Sequence, residues 1–166
     1  MNGIKFKVPG SPVAQPRPRA TSVNGRARMY EAKKTHAVHS FKATVRMAAE
    51  QAYQGAPLDG PLFMSLTCVL PRPGKPKKRS DNPPYYATKK PDLDNLMKSV
   101  ADALSGILYR DDKQIAEVNM VKTIAAASEQ PHVEIEICEL DDEMLAEAWR
   151  DYGSHSASLP KTSAVR

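Results

Sequence analysis

From Pro71 to Pro91 the chain carries six prolines, one glycine and a run of lysines and arginines, with no apolar spacing that a helix or a strand would bury. Proline lacks the amide proton and fixes φ, so no helix interior or central strand passes through such a segment. The fold must be assembled from what stands on either side. A connection this long inside a compact domain is a candidate for function rather than a passive link.

Upstream, Ile4 to Val8 alternates apolar and basic residues and predicts a first strand, ended by Pro9-Gly10. The stretch from there to about Tyr30 reads as a proline- and arginine-rich loop. Between about Thr35 and Tyr53, Val38, Phe41, Val45, Ala48, Ala49 and Ala52 recur at three- and four-residue steps, which predicts an amphipathic helix ended by Gly55 and Pro57. Leu62 to Leu70 predicts a largely buried strand.

Downstream, Asp94 to about Leu104 predicts a second helix, with Leu96, Met97, Val100, Ala101, Ala103 and Leu104 as its apolar side and Gly106 as its terminator. Ile115 to Ala125 and His132 to Leu140 predict two strands joined as a hairpin with one wet face, Val133, Ile135 and Ile137 opposing Glu134, Glu136 and Cys138. Asp141 to Tyr152 returns to helical spacing, and Gly153 to Arg166 reads as a disordered tail. The expected architecture is an α/β (α+β) domain over residues 1–140, a mixed β-sheet with flanking helices, followed by a helical extension over 141–152 expected to dock on its own domain and a tail over 153–166.

At 166 residues the chain is the size of one ordinary domain. No run approaches the roughly 18 apolar residues of a membrane span, so a soluble, cytoplasmic protein with no membrane partner is expected. Cys68 and Cys138 lie inside strand-like runs, with no C-x-x-C pair or neighbouring histidine, and read as buried free thiols of a reducing compartment.

The net charge of +5 is unevenly distributed. Lys5, Lys7, Arg17, Arg19, Arg26 and Arg28 precede Tyr30 without one acidic residue, and Arg72, Lys75, Lys77, Lys78, Arg79, Lys89 and Lys90 are interrupted only by Asp81. Glu134, Glu136, Glu139, Asp141, Asp142, Glu143 and Glu147 gather toward the other end. One face should attract a polyanion and another repel it.

The chemistry is concentrated in Lys89-Lys90-Pro91-Asp92-Leu93-Asp94-Asn95-Leu96-Met97-Lys98 and in Asp111-Asp112 beyond the helix. Asp92 and Asp94 enter a helix together, with Asp94 as the expected cap, and capping alone requires one acid. Lys98 follows Asp94 by one turn and shares its face, and Asp102 continues that stripe. Asp111-Asp112 follows the terminating glycine, so the chain can reverse and bring a third or fourth carboxylate back toward Asp92 and Asp94. Clustered carboxylates repel unless a cation lies between them, and such hard ligands suit Mg²⁺, with Mn²⁺ as substitute, better than zinc. One or two such ions would activate water and neutralise charge developing on a phosphodiester, with Lys98 contacting the phosphate or assisting the leaving group.

Each piece alone is commonplace: a D-x-D is most often a capped turn, and an i,i+4 Asp-Lys pair a surface ion pair. An EF-hand is excluded because Leu96 and Met97 occupy ligand and glycine positions. A zinc site lacks His and Cys ligands, and the four histidines are scattered. A sugar-nucleotide transferase would need a larger chain.

Taken together, Pro91 to Lys98, Asp102-Ala103-Leu104 and Asp111-Asp112-Lys113-Gln114-Ile115 resemble the signature of the RusA family of Holliday-junction resolvases, and Pro9-Gly10-Ser11-Pro12 and Arg17-Pro18-Arg19 resemble that family's N-terminal pattern. The resemblance implies a homodimeric endonuclease that nicks four-way DNA junctions in pairs, with Asp92, Asp94 and Asp112 as metal-binding carboxylates, Asp111 as the lesser member of its pair, Lys98 as the essential lysine and no organic cofactor. Arg17, Arg19, Lys75, Lys77, Lys78, Arg79, Lys89 and Lys90 are then expected on DNA phosphates, and Tyr85 and Tyr86 on unpaired bases. The competing readings are a nuclease of flaps or forks and a branched-DNA-binding protein that does not cut.

Overall fold

The computed structural model describes residues 3–16, 19–23, 26–30, 36–74, 82–143, 145–146 and 150, with the backbone alone for 19–23 and 26–30. Its elements are β1 (Ile4–Pro9), β2 (Arg19–Val23), β3 (Arg26–Tyr30), α1 (Ala37–Ala52), β4 (Leu62–Leu70), β5 (Tyr85–Tyr86), α2 (Leu93–Leu104), a 3-10 turn (Asp112–Gln114), β6 (Ile115–Ile124) and β7 (His132–Glu139). Five strands form one mixed sheet in the order β1-β7-β4-β6-β5, and β2 and β3 pair separately. The mixed α+β architecture expected from the sequence is the one observed.

The two helices cover one face of the sheet. Val8 of β1, Leu62, Met64, Leu66 and Cys68 of β4, and Val133, Ile135 and Ile137 of β7 join Phe41, Val45 and Ala49 of α1 and Leu96, Val100, Ala103 and Leu104 of α2 in one buried cluster. Alternation along the strands sends Lys5, Lys7, Glu134 and Glu136 to the other face, where Lys5 pairs with Glu136 at 2.9 Å and Lys7 with Glu134 at 3.5 Å. These exposed pairs contribute little stability and keep that face wet. Cys68 and Cys138 are buried free thiols, as expected, and burial pushes the Cys68 thiol up to about 12.

Two connections differ from expectation. The predicted β6–β7 hairpin is not made: β4 lies between them, parallel to β6 and antiparallel to β7. The nine-residue β4 is apolar over most of its length and gains more by burying both edges than by standing at one. The loop expected before Tyr30 contains the paired strands β2 and β3, and the Asn24-Gly25 signal in the sequence is outweighed by the surrounding prolines and arginines.

Helix boundaries follow local chemistry. His36 caps α1, its Nδ1 accepting the Val38 amide at 3.2 Å. Gly106, at φ 79°, follows the Ser105 cap of α2 and turns the chain back toward Tyr109. Residues 142–143, 145–146 and 150 are helical, and Leu145 is 68% exposed, so this side chain of the predicted docking stripe does not bury. The predicted tail, 153–166, lies outside the described residues.

Candidate active site

α2 carries the predicted machinery on an exposed side, and its N-terminal end is built with care. The side chain of Lys122, on β6, donates to the carbonyls of Lys89 at 2.8 Å and Pro91 at 2.7 Å, tying the segment that leads into α2 to the sheet. Asp92 is the N-cap residue, with Leu96 N–H bonded to its carbonyl at 3.2 Å, but its side chain makes no capping bond. The capping position expected for Asp94 thus belongs to Asp92, and Asp94 lies within the first turn. Both carboxylates are exposed and stand where the helix dipole is positive.

The N-terminal segment is laid across the same helix. Gln15 N–H bonds the Asn95 carbonyl at 2.8 Å, and Ser99 Oγ bonds the Val13 carbonyl at 2.7 Å and that of Leu96 at 2.8 Å. The basic arm therefore departs from the flank of α2, close to Asp92 and Asp94. Arg17 lies outside the described residues, as do Lys75, Lys77, Lys78 and Arg79, and Arg19 is described by backbone alone.

The carboxylates do not all meet. Among the described residues no group of three or more His, Cys, Asp or Glu side chains is arranged to hold a metal ion. Asp112 stands near the far end of α2: with Asp102 it raises the Tyr109 phenol, after burial as the main cause, and the Tyr109 hydroxyl donates to the Ala101 carbonyl at 2.8 Å. From Asp94 to Asp102 the helix rises about 12 Å. The chain reversal after Gly106 brings Asp112 into the electrostatic surroundings of Tyr109, shared with Asp102 of the C-terminal half of α2.

Asp111 and Asp112 have different roles. Asp111 caps the 3-10 turn, its Oδ1 accepting the Lys113 amide at 3.0 Å, a bond that holds its carboxyl below the usual range. Gln114 completes that cap by accepting the Arg110 and Asp111 amides at 2.9 and 3.2 Å. Asp112 is exposed and is not the cap.

Lys98 leans away from Asp94. Its Nζ lies 3.4 Å from Asp102 Oδ1, and Asp102 Oδ2 is bonded at 2.9 Å by Lys42 of α1. The sequence offered Lys98 an acid on either side at one-turn spacing, and geometry selects the C-terminal one.

At the sheet edge, β5 pairs with β6 through Tyr85–Ile124 and Tyr86–Thr123, so the two rings point to opposite sides of the sheet. Tyr86 is 76% exposed, whereas Tyr85 has Arg72 stacked over it at 5.1 Å. Arg72 also donates to the carbonyls of Ala125 at 2.9 Å, Pro83 at 2.7 Å and Asn82 at 3.4 Å. This member of the basic block closes the base of the proline-rich loop. Lys89 and Lys90 are exposed beside the entry to α2.

Sequence reasoning missed Lys122, Lys42 and Arg72 as organisers. Only Lys122 left a signal: it interrupts the apolar alternation Val118, Met120, Ile124 on the side of β6 that faces the helices.

The residues present suit a hard divalent cation of the magnesium kind in a limited way. Mg²⁺ keeps several waters and takes one or two protein carboxylates plus substrate phosphate, and Asp92 with Asp94 supply two exposed carboxylates at one helix end. Among the described residues, three acids do not form a closed cage.

Residues 9–138 match the family model described as Endodeoxyribonuclease RusA. The chain is also 36% identical over 146 residues to the "Uncharacterized protein YqaN" of Bacillus subtilis (strain 168), a match covering 84% of this chain and 99% of that protein. With most of its length matched, and with the Asp92-x-Asp94 helix start, Lys98 and Asp112 inside the matched span, the chain belongs to the RusA endodeoxyribonuclease family.

Proposed function

We propose that this protein is a Mg²⁺-dependent endonuclease that resolves four-way DNA junctions by paired, symmetric nicks, acting as a homodimer in recombination and repair. The observation that carries the reading is the exposed Asp92–Asp94 pair at the positive end of α2, flanked by Lys89, Lys90 and the arm that begins at Gln15. Acids that would repel DNA stand beside exposed lysines, an arrangement that makes sense when a cation lies between acid and phosphate.

Asp92 and Asp94 would hold the ion, with Mn²⁺ able to replace Mg²⁺. Bound there, it supplies an activated water and neutralises charge on the departing oxygen. Lys98 meets the scissile phosphate. Because no group of three acids is arranged to hold an ion among the described residues, Asp112 of a second copy would fill the third place in the ligand set. A two-fold dimer also supplies the two equivalent sites that nicks in two strands of like polarity require. The exposed lysines and arginines neutralise DNA phosphates, a contribution that fades with salt.

The test is cutting of a synthetic four-way junction and a matched linear duplex, with Mg²⁺ or EDTA, beside the Asp94→Asn variant. Paired symmetric nicks in the junction, lost with EDTA and in the variant, are expected. Equal cutting of the duplex, or cutting confined to flaps or forks, removes the junction assignment. Junction binding without cutting by the wild type replaces the enzyme with a binding protein.

A further inference from the structure

Asp102 was singled out by the sequence and is left without a role by the proposed reaction. It lies on α2 one turn beyond Lys98, and each of its oxygens meets an ammonium: Lys42 at Oδ2, 2.9 Å, and Lys98 at Oδ1, 3.4 Å. The two lysines are unlike. The Lys42 side chain is 18% exposed and crosses from α1, while that of Lys98 is 59% exposed.

We propose that Asp102 is a positioning residue for Lys98, and that Lys42 keeps its hold on Lys98 weak. This rests on the reading that Lys98 meets the scissile phosphate. A long lysine stem loses much rotamer freedom when its ammonium is placed, and a carboxylate one turn away restricts it before DNA arrives. A carboxylate serving Lys98 alone would compete with phosphate for it. Lys42, closer and less exposed, takes the larger share of the Asp102 charge, so Lys98 is addressed without being captured. The triad carries a net charge of one, and that charge resides on the lysine that solvent and DNA can reach.

A plain salt bridge between α1 and α2 would be built from Lys42 and Asp102 alone, and its loss would lower stability without regard to Lys98. The two roles separate in a double-mutant cycle. Single-turnover cutting of a four-way junction would be measured for Asp102→Asn, Lys98→Met and the double variant, with thermal unfolding of each and junction binding in EDTA across a salt series. Asp102→Asn is expected to cut roughly ten to a hundred times more slowly, the cost of misplacing a reacting group by about 1 Å. Its binding in EDTA should be unchanged or tighter, because an acid has been removed beside phosphate. In the Lys98→Met background the same substitution should bring no further loss. Lys42→Met should slow cutting and weaken binding while Asp102 is present, and do neither once Asp102 is Asn.

Asp102→Asn that cuts at the wild-type rate, or losses that multiply in the Lys98→Met background, would overturn the proposal while leaving the junction-cutting reading intact. A Lys98→Met variant that cuts normally removes the lysine role itself, and this inference with it. If Asp102→Asn loses cooperative unfolding because Lys42 is stranded, the Lys42→Met/Asp102→Asn pair removes both charges and carries the same comparison. Asp102→Glu, which keeps a carboxylate within reach of Lys98, should restore part of the rate, and its failure to do so counts against the proposal.

Discussion

Lys122→Met tests how the entry to α2 is held. The substitution keeps the apolar stem on the inner side of β6 and removes only the ammonium, with its bonds to the Lys89 and Pro91 carbonyls at 2.8 and 2.7 Å. Hydrogen bonds from a charged donor contribute about 1.5–3 kcal/mol each when neither partner has an alternative. Lys89 is exposed, so water replaces the ammonium on at least that carbonyl and the net loss is nearer one such bond, about 2 kcal/mol. In a chain of this size that corresponds to a fall in Tm of roughly 4–8 °C.

The consequence for chemistry should exceed the consequence for stability. With a typical stability of about 5–15 kcal/mol, a loss of 2 leaves nearly every molecule folded at 25 °C. Any fall in cutting rate then reports on Asp92, which follows Pro91 directly and whose placement depends on that tether. Urea unfolding should show a lower midpoint with unchanged slope, and single-turnover junction cutting should drop at least tenfold, on the order of the cost of a misplaced catalytic group. An unchanged midpoint together with wild-type cutting would refute the argument: the segment would then be held by its own turn and Lys122 would be incidental.

Three further outcomes follow from the same geometry. Tyr109→Phe removes the bond to the Ala101 carbonyl, which still accepts the Ser105 amide at 3.1 Å, and should cost about 1 kcal/mol in urea unfolding. Because burial, then Asp112 and Asp102, raise the Tyr109 phenol in the folded state, its contribution is present below pH 10 and lost as pH rises beyond the unfolded value; the phenylalanine variant should lack that alkaline slope. Asp111→Ala should lower the urea midpoint slightly as a lost cap with little change in cutting per folded molecule, whereas Asp112→Asn should abolish cutting with unchanged unfolding. Arg72→Met should speed proteolysis between Pro71 and Tyr85 and weaken junction binding, and Arg72→Lys should not rescue it, since a point charge cannot reach Ala125, Pro83 and the Tyr85 face together.

Local chemistry made most elements legible. The stripe Val38, Phe41, Val45, Ala49 and the alternation of Val133, Ile135, Ile137 against Glu134 and Glu136 are period signals, and each found its buried side. The partner of each strand was less accessible. Ile115–Ile124 and His132–Glu139 are neighbours in sequence with a short turn between them, which favours a hairpin. What separates them is the demand of β4, distant in the chain, for partners on both edges, and no local pattern records that demand.

The same distinction governs the site. Asp94 and Lys98 were placed on one exposed helix side because a helix carries its own ruler, and the structure departs from that reading in which acid Lys98 meets and in giving the cap to Asp92. Asp112 depended on the turn after Gly106. Tyr109 folds under the last turn of α2 and bonds Ala101, which fixes the following residues beside that turn; β6 then runs back along the sheet until Lys122 reaches Pro91. α2 and β6 are therefore antiparallel neighbours joined at the Asp112 end. With no group of three acids arranged for an ion among the described residues, the proposed reading takes the third from a second copy. Mixing Asp94→Asn protomers with Asp112→Asn protomers tests that directly: if the sites are shared between two copies, each mixed dimer has one site carrying both substitutions and one site with all three acids intact, and the mixture should nick where either variant alone is silent. Silence in the mixture would place all three acids in a single chain and overturn the shared site.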